Sequence, residues 1–319
     1  MINYSIIIPH KNIPKLLQRC LDSIPRREDV QIIIVDDNSD TDKVDFANFP
    51  GLNDHYIEVI FGKNENGRKG AGYARNLGLE RANGKWIVFA DADDFFLPCF
   101  SDILDKYKDD ENNIIYFKVT SVDSDTLEPA NRDYSNAFLD EVQQTGNLDL
   151  LYKAITPWGK LIKKSLIDKN NIRFPEIFCS EDVLFCIYCI YYAFEKIIID
   201  NNIIYCITAR AESLTSQMQV TVKFLKISFF VGCESVVWLN RHNKKNCCKW
   251  LPYYYWDDIY HINKKEAFYL LPHMAKACGW IFVFKRVLVD ENVLGFGKPL
   301  YLFYRKYIKN KLLLRPLNY

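Results

Sequence analysis

An excess of charge of either sign is the first thing this chain lacks. Its 41 Lys and Arg face 40 Asp and Glu, a formal net charge of +1. No broad basic field exists to hold nucleic acid, so nucleic acid is not expected as a partner. Long apolar runs are missing as well. No uncharged stretch reaches the ~18 residues that span a bilayer; the nearest, Ala267 to Phe284, is interrupted by Pro272, His273 and Lys276. No apolar leader opens the chain, because Met1-Ile2-Asn3-Tyr4 runs straight into a strand-like stretch. A cytoplasmic protein with reduced thiols is the expectation. Ten cysteines are present, yet paired metal-binding motifs are not. Cys186 and Cys189 form a CxxC with no second one to match it, inside an apolar helical pattern that reads as a buried helix rather than a zinc or redox site. The adjacent Cys247 and Cys248 read the same way. Internal repeats and low-complexity linkers are absent too.

What is present suits a packed core. The 319 residues are 49% hydrophobic and 25% charged, enough to fold without disulfides. The first third alternates strands and helices. Ser5 to Ile8, Gln31 to Val35, Tyr56 to Phe61, Trp86 to Ala90 and Ile114 to Val119 read as strands; Lys15 to Ile24 and Gly70 to Ala82 read as helices. Short β-rich runs separated by helices predict a parallel sheet covered on both faces. Residues 121–150 read as an irregular polar excursion. Ile155 to Ile162 and Ile197 to Ile207 are further candidate strands, with a buried helix from Asp182 to Phe194 between them. From about residue 220 the pattern turns helical, aromatic and basic.

Polar groups gather where strands end, which is where open parallel sheets bind ligands. Pro9-His10-Lys11-Asn12 follows the first strand, Asp36-Asp37-Asn38-Ser39 the second and Asp91-Ala92-Asp93-Asp94 the fourth. Three carboxylates within four residues repel one another, and burial would raise their pKa values. A divalent cation removes that penalty, and hard oxygen ligands suit Mg²⁺ or Mn²⁺ sharing their shell with substrate phosphates. A solvated acidic turn capping a helix near Pro98 is the bland alternative. In Arg68-Lys69-Gly70-Ala71-Gly72-Tyr73-Ala74-Arg75-Asn76, glycines permit close backbone approach at a helix start. A dinucleotide fingerprint is rejected here, since Arg75 replaces the third glycine and the motif follows the third strand.

Taken in order, these pieces resemble glycosyltransferase family 2, a group of inverting enzymes with the GT-A fold. The matching stretches are Ser5-Ile-Ile-Ile-Pro-His-Lys-Asn12, Ile34-Val-Asp-Asp-Asn-Ser39, Gly72-Tyr-Ala-Arg-Asn76 and Phe89-Ala-Asp-Ala-Asp-Asp94. Pro157 to Leu166 and Ser180-Glu-Asp-Val-Leu-Phe185 resemble the family's acceptor half, and Arg210-Ala-Glu-Ser-Leu-Thr215 its closing Arg-x-x-Ser-x-Thr loop. The resemblance implies an α/β GT-A fold over 1–220, with a mostly parallel, Rossmann-like central sheet flanked by helices. Its nucleotide-binding half would be 1–120 and its acceptor half 121–220, followed by a helical aromatic and basic region over 221–319. It implies a nucleotide-sugar donor, a UDP-sugar, and a saccharide or lipid-linked saccharide acceptor in cell-surface polysaccharide or glycolipid assembly. Pro9 and Asp37 would border the nucleobase, Asp36 would join them in binding the nucleotide, Arg75 would face the nucleotide and Asp91 would reach the ribose. Asp93 would bind the Mn²⁺ or Mg²⁺ that carries the diphosphate, and Asp182 would be the general base, with Glu181 its rival. The resemblance leaves the role of His10 open.

The chemistry is consistent with that assignment. Displacement at an anomeric carbon needs a stabilised leaving group and a base on the opposite face. One base and one displacement invert the centre. Trp158 offers an apolar face for a sugar ring or is a core residue; Lys160 binds phosphate or is simply exposed. Arg210, Ser213 and Thr215 form a lid or an ordinary loop. Two other classes compete. A metal-dependent nucleotidyltransferase usually carries a glycine-rich loop after its first strand, where this chain has His10-Lys11-Asn12-Ile13-Pro14. A non-catalytic sugar-nucleotide-binding module would have no need of the full acidic set. Finally, Pro299 to Arg315 is basic and amphipathic, suiting peripheral contact with the inner face of a membrane or packing with cations outward.

Overall fold

The computed structural model describes residues 1–62, 70–193, 195–210, 221–245 and 247–290; the side chains of 288–290 are outside that set. The chain divides into two compact units, Met1–Phe224 and Leu225–Tyr319.

In the first unit, eight strands form one sheet in the order β3-β2-β1-β4-β7-β6-β8-β5. These are β1 (Tyr4–His10), β2 (Val30–Asp36), β3 (Ile57–Phe61), β4 (Trp86–Phe89), β5 (Phe95–Phe96), β6 (Ile114–Asp123), β7 (Lys160–Lys163) and β8 (Ile197–Ala209). The β3-β2-β1-β4 half is wholly parallel. Beyond it, β7 runs antiparallel to both β4 and β6, β6 pairs parallel with β8, and β5 runs antiparallel to β8. The parallel strands are buried on both faces: Ile6, Ile7, Ile8, Ile32, Ile33 and Ile34 are all fully enclosed. Each such side chain contributes about 2 kcal/mol of gross burial energy, which is why these runs read as continuous apolar blocks instead of alternating.

Helix α1 (Pro14–Asp22) opens on a proline, which needs no intrahelical N–H there, and buries Leu17, Cys20 and Leu21 at i, i+3 and i+4 spacing. Helix α2 (Ala71–Arg81) is buried almost all round. Gly78 explains how it approaches the sheet: a Cβ there would stand 2.4 Å from Ile7 Cγ2. Helix α3 (Phe100–Tyr107) follows β5, α4 (Ser135–Thr145) follows β6, and α5 (Lys164–Lys169) follows β7. Helix α6 (Glu181–Ala193) encloses Cys186 and Cys189, which are unbridged and buried. Cys186 donates its thiol to the Thr156 carbonyl, in keeping with the buried-helix reading.

Two sequence expectations need correction. Residues 121–150 are not irregular: β6 continues to Asp123, and α4 occupies Ser135–Thr145. Its buried stripe is only Ser135, Leu139 and Val142, too thin for the pattern to stand out. The strand expected over Ile155 to Ile162 is confined to Lys160–Lys163, because Pro157 and Gly159 (φ +68°) hold the preceding segment in a turn.

The described residues of the second unit are mainly helical. The unit takes in most of α7 (Val222–Arg241), then α8 (Trp250–Ile262), α9 (Lys264–Cys278), α10 (Trp280–Val283) and a π-helical turn, Phe284–Asp290. Trp256 is fully buried between α8 and α9 and donates its indole N–H to the Ala267 carbonyl at 2.8 Å. Asn263 caps α9 by accepting from Glu266 N–H. No described helix is long and apolar enough to cross a membrane. The basic amphipathic segment 299–315 lies outside the described residues.

Candidate active site

Strand pairing brings the ends of β1 and β2 side by side, His10 opposite Asp36. His10 Nδ1 lies 2.8 Å from Asp36 Oδ2, and its Nε2 accepts from Ile13 N–H at 3.1 Å. Accepting at Nε2 requires a lone pair, which puts the ring proton on Nδ1, facing the carboxylate. Asp36 also accepts from the Ser39 amide at 2.9 Å and the Ser39 hydroxyl at 2.6 Å. Burial pushes the Asp36 pKa up, but the His10 and Ser39 donors outweigh it and hold the group below the ordinary carboxylate range. Asp37 accepts from Gly70 N–H with both oxygens at 2.9 Å, tying the end of β2 to the start of α2. Lys11 donates to the Asp37 carbonyl at 3.0 Å. Pro9 is partly exposed in this strand-end row. Arg68 and Lys69 lie outside the described residues.

The turn after β4 is gripped from several sides. Tyr205 of β8 accepts from Asp91 N–H at 2.8 Å and bonds the Asp94 carboxylate. Thr208 donates its amide to Asp94 Oδ1 and its hydroxyl to the Asp93 carbonyl, both at 2.7 Å. Arg19 of α1 adds a 2.7 Å bond to that same carbonyl. Arg210 Nε lies 2.8 Å from Asp93 Oδ2, while Asp93 Oδ1 has no hydrogen bond among the described residues. Trp158 stacks on Tyr205 with ring centroids 5.9 Å apart. Sequence reasoning missed Arg19, Tyr205 and Thr208. Arg19 looks like an exposed position of an amphipathic helix. Thr208 had a faint signal, as a polar residue closing an apolar strand just before Arg210.

Helix α2 joins this turn to α6. Arg75 is buried and forked: Nη2 meets Asp91 Oδ1 at 2.7 Å and Nη1 meets Glu181 Oε1 at 2.8 Å. Asp182, the next residue, has no ion-pair partner of its own among the described residues. Burial first, then the neighbouring Glu181 charge, push its pKa up to about 7, against the pull of Arg75. Asp182 keeps some exposure to solvent, so crowding by protein atoms and not complete enclosure produces the shift. Burial and the Asp93 charge likewise raise Asp91, with Arg75 opposing, although a third of the Asp91 side chain is open to solvent. Asp94, buried beside Asp93 and Asp91, stands well above the usual range.

Lys160 is not exposed: it is 3% accessible, donates to the carbonyls of Ala154 and Thr156, and lies over the Tyr116 ring. Ser213 and Thr215 lie outside the described residues.

Five carboxylates (Asp91, Asp93, Asp94, Glu181 and Asp182) thus share two guanidiniums, those of Arg75 and Arg210. Among the described residues no three acids, cysteines or histidines converge to hold an ion by themselves. The donor set still fits a hard divalent cation that keeps waters and takes further oxygens from a ligand's phosphates. The unbalanced negative charge, visible in the raised Asp91 and Asp94 values, is what such a cation would neutralise.

A family model described as Glycosyl transferase family 2 matches residues 5–170. The poly(ribitol-phosphate) beta-glucosyltransferase of Bacillus spizizenii is 29% identical over 192 residues, covering 57% of this chain and 28% of that protein. The match to three curated relatives spans 50%, 28% and 51% of their lengths. Among solved structures, S. aureus TarS 1-349 in complex with UDP-GlcNAc superposes with a TM-score of 0.61 at 19% identity, covering 86% of this chain and 79% of that one. The mannosyltransferase PcManGT from Pyrobaculum calidifontis, in complex with GDP-Man and Mn²⁺, gives 0.53 at 16% identity, covering 96% and 83%. At these identities the structural likeness establishes the GT-A fold alone.

Proposed function

Since the chain belongs to glycosyl transferase family 2, we propose that it transfers a sugar from a nucleotide-diphosphate donor, a UDP-sugar, to a hydroxyl of a saccharide or lipid-linked saccharide acceptor. The transfer inverts the anomeric centre and serves cell-surface polysaccharide or glycolipid assembly. Residues 1–120 form the nucleotide-binding half and 121–220 the acceptor half. One observation carries the reading: a single guanidinium, Arg75, touches both the acid at the end of β4 and the acid that begins α6. Donor-side and acceptor-side carboxylates therefore stand on opposite sides of one residue, as a displacement with a leaving group and a base requires.

The two acids that open α6 have separate roles. Glu181 is committed to Arg75. Asp182 is next to it, without a cation of its own, and its pKa of about 7 suits a group that takes a proton near neutrality. Asp182 accepts the proton of the acceptor hydroxyl as that oxygen attacks the anomeric carbon. Asp37, at the rim of β2, borders the nucleobase, and Asp91 lies toward the ribose. Asp93 is the residue to hold Mn²⁺ or Mg²⁺ with the diphosphate, where the cation supplies Lewis-acid stabilisation of the leaving group. TarS bound to UDP-GlcNAc supports a UDP-sugar, the Mn²⁺ complex of PcManGT supports a divalent ion, and the poly(ribitol-phosphate) glucosyltransferase supports a cell-wall acceptor. A basic segment at 299–315 would suit peripheral contact with the inner membrane face and a lipid-linked acceptor.

The test is transfer from a panel of UDP-sugars with Mn²⁺ and saccharide or lipid-linked acceptors, for the wild type and for Asp182→Asn. The variant is expected to bind UDP as the wild type does and to transfer about 1,000-fold more slowly. Undiminished transfer would move the base elsewhere, and pyrophosphate release would point to nucleotidyl transfer instead.

A further inference from the structure

Building on the lipid-linked acceptor of the glycosyltransferase reading, we infer that the outer face of α9 is a docking surface for an anionic lipid bilayer. Helix α9 turns Ala267, Leu270, Met274 and Ala275 into its own unit. The opposite stripe, Lys265, Phe268, Tyr269, Pro272, His273 and Lys276, is exposed throughout. These six recur at i, i+3, i+4, i+7, i+8 and i+11, so they fall on one side of the helix. An outward face is ordinarily polar, yet Tyr269 is 69% exposed and Phe268 39%. The exposed Phe230 ring of α7 meets His273 edge-on at 5.4 Å and widens the aromatic area. Trp280 and Ile281 follow soon after in the chain, 66% and 51% exposed. Single exposed apolar residues mean little; an aromatic run bracketed by cations is a different case.

Charge selects what this face receives. Lys265 and Lys276 stand at its ends, with Lys264 before it and Lys285 and Arg286 after it, all exposed. The acid between Lys264 and Arg286, Glu266, is paired with Lys226 at 2.8 Å and lies off the stripe. A second copy of this chain would set like charges against like. The chain's own segment 299–315 carries Arg305, Lys306, Lys309, Lys311 and Arg315 and no acid, so it has the same sign. An anionic bilayer is complementary in both respects. Cations meet headgroup phosphates, while Tyr and Trp rings occupy the layer between headgroups and acyl chains. A convex helix face offers ridges, not the pockets into which a protein partner's anchors fit. Pro272 sets the depth. Lacking an N–H, it leaves the Phe268 carbonyl without its helical donor, so this turn needs water and stays in the hydrated headgroup layer.

Vesicle flotation with the full chain, in the absence of donor and acceptor, tests the inference. The probes are vesicles of phosphatidylcholine alone and of phosphatidylcholine with about one third phosphatidylglycerol. The wild type is expected to float with the anionic vesicles at low salt and to be released at high salt. Lys265→Gln with Lys276→Gln should lower that partition about 30-fold, at roughly 5-fold per lysine. Phe268→Ser with Tyr269→Ser should lower it about 10-fold. All four positions are exposed, so folding should be unaffected; should one pair fail to fold, the other carries the test. Undiminished binding in these variants would overturn the inference and assign the bilayer to segment 299–315. Equal binding to neutral vesicles, or none by the wild type to anionic ones, would overturn it as well. So would a dimer in sedimentation that Phe268→Ser with Tyr269→Ser dissolves, which would make the face a contact between copies. Flotation involves no sugar: a chain that floats but transfers nothing would sink the glycosyltransferase reading alone, and one that transfers but does not float would sink this inference alone.

Discussion

At the end of β2, Asp36 is met by an imidazole and by two donors of Ser39, and Asp37 by the first amide of the following helix turn. At the end of β4, Asp91, Asp93 and Asp94 sit within four residues of one another, and two of them have pKa values pushed up by burial and mutual repulsion. Both clusters look alike in the sequence, as acids following an apolar strand. The first has its negative charge answered from within the fold. The second keeps carboxylates that repel one another, which is the repulsion that the cation proposed above would relieve.

The contrast can be attacked most directly at Asp93. Asp93→Ala is expected to weaken Mn²⁺-dependent UDP binding at least ~100-fold, the scale on which even indirect supports of a metal site matter; calorimetry with and without Mn²⁺ checks it, and unchanged affinity would remove Asp93 from the site. Next comes stability in urea. His10→Ala leaves Asp36 buried without its imidazole and should cost about 2 kcal/mol. Asp94→Asn relieves a repelled carboxylate while keeping an acceptor for Thr208 N–H, so it should shift stability by less than about 1 kcal/mol. Equal losses would erase the distinction between the two strand ends. The last effect is one of pH. Asp182 rises from 3.8 in the unfolded chain to about 7 in the folded one. Between those values the unfolded chain sheds a proton that the folded protein keeps, so the wild type loses stability as pH climbs from about 4 to 7. Asp182→Asn escapes that loss. Its melting temperature should match the wild type near pH 4 and exceed it by several °C at pH 8; Asp36, held low, behaves in the opposite sense and loses its contribution as pH falls below the ordinary carboxylate value.

Much of the first unit was legible because its code is local. Ile6 to Ile8, Ile32 to Val35 and Trp86 to Phe89 are apolar runs too short for helices, and each ends in the polar residues that line one sheet edge. The roles that escaped sequence reasoning depend on distant partners. Arg75 also meets Glu181, 106 positions later, a partner that no local pattern announces. Lys160 reads as surface beside Leu161, yet the carbonyls of the turn it closes solvate its ammonium in place of water. Helix α4 went unseen because only three of its residues are buried.

Asn76, beside Arg75 on α2, has a consequence of its own. By offering an N–H and a C=O to the two backbone groups of a single residue, its side chain does for Phe174 what an adjoining strand does in a sheet. A stretch without regular secondary structure thereby acquires the stiffness of a sheet edge. The chain before α6 is tied to α2 at Phe174 through a single side chain.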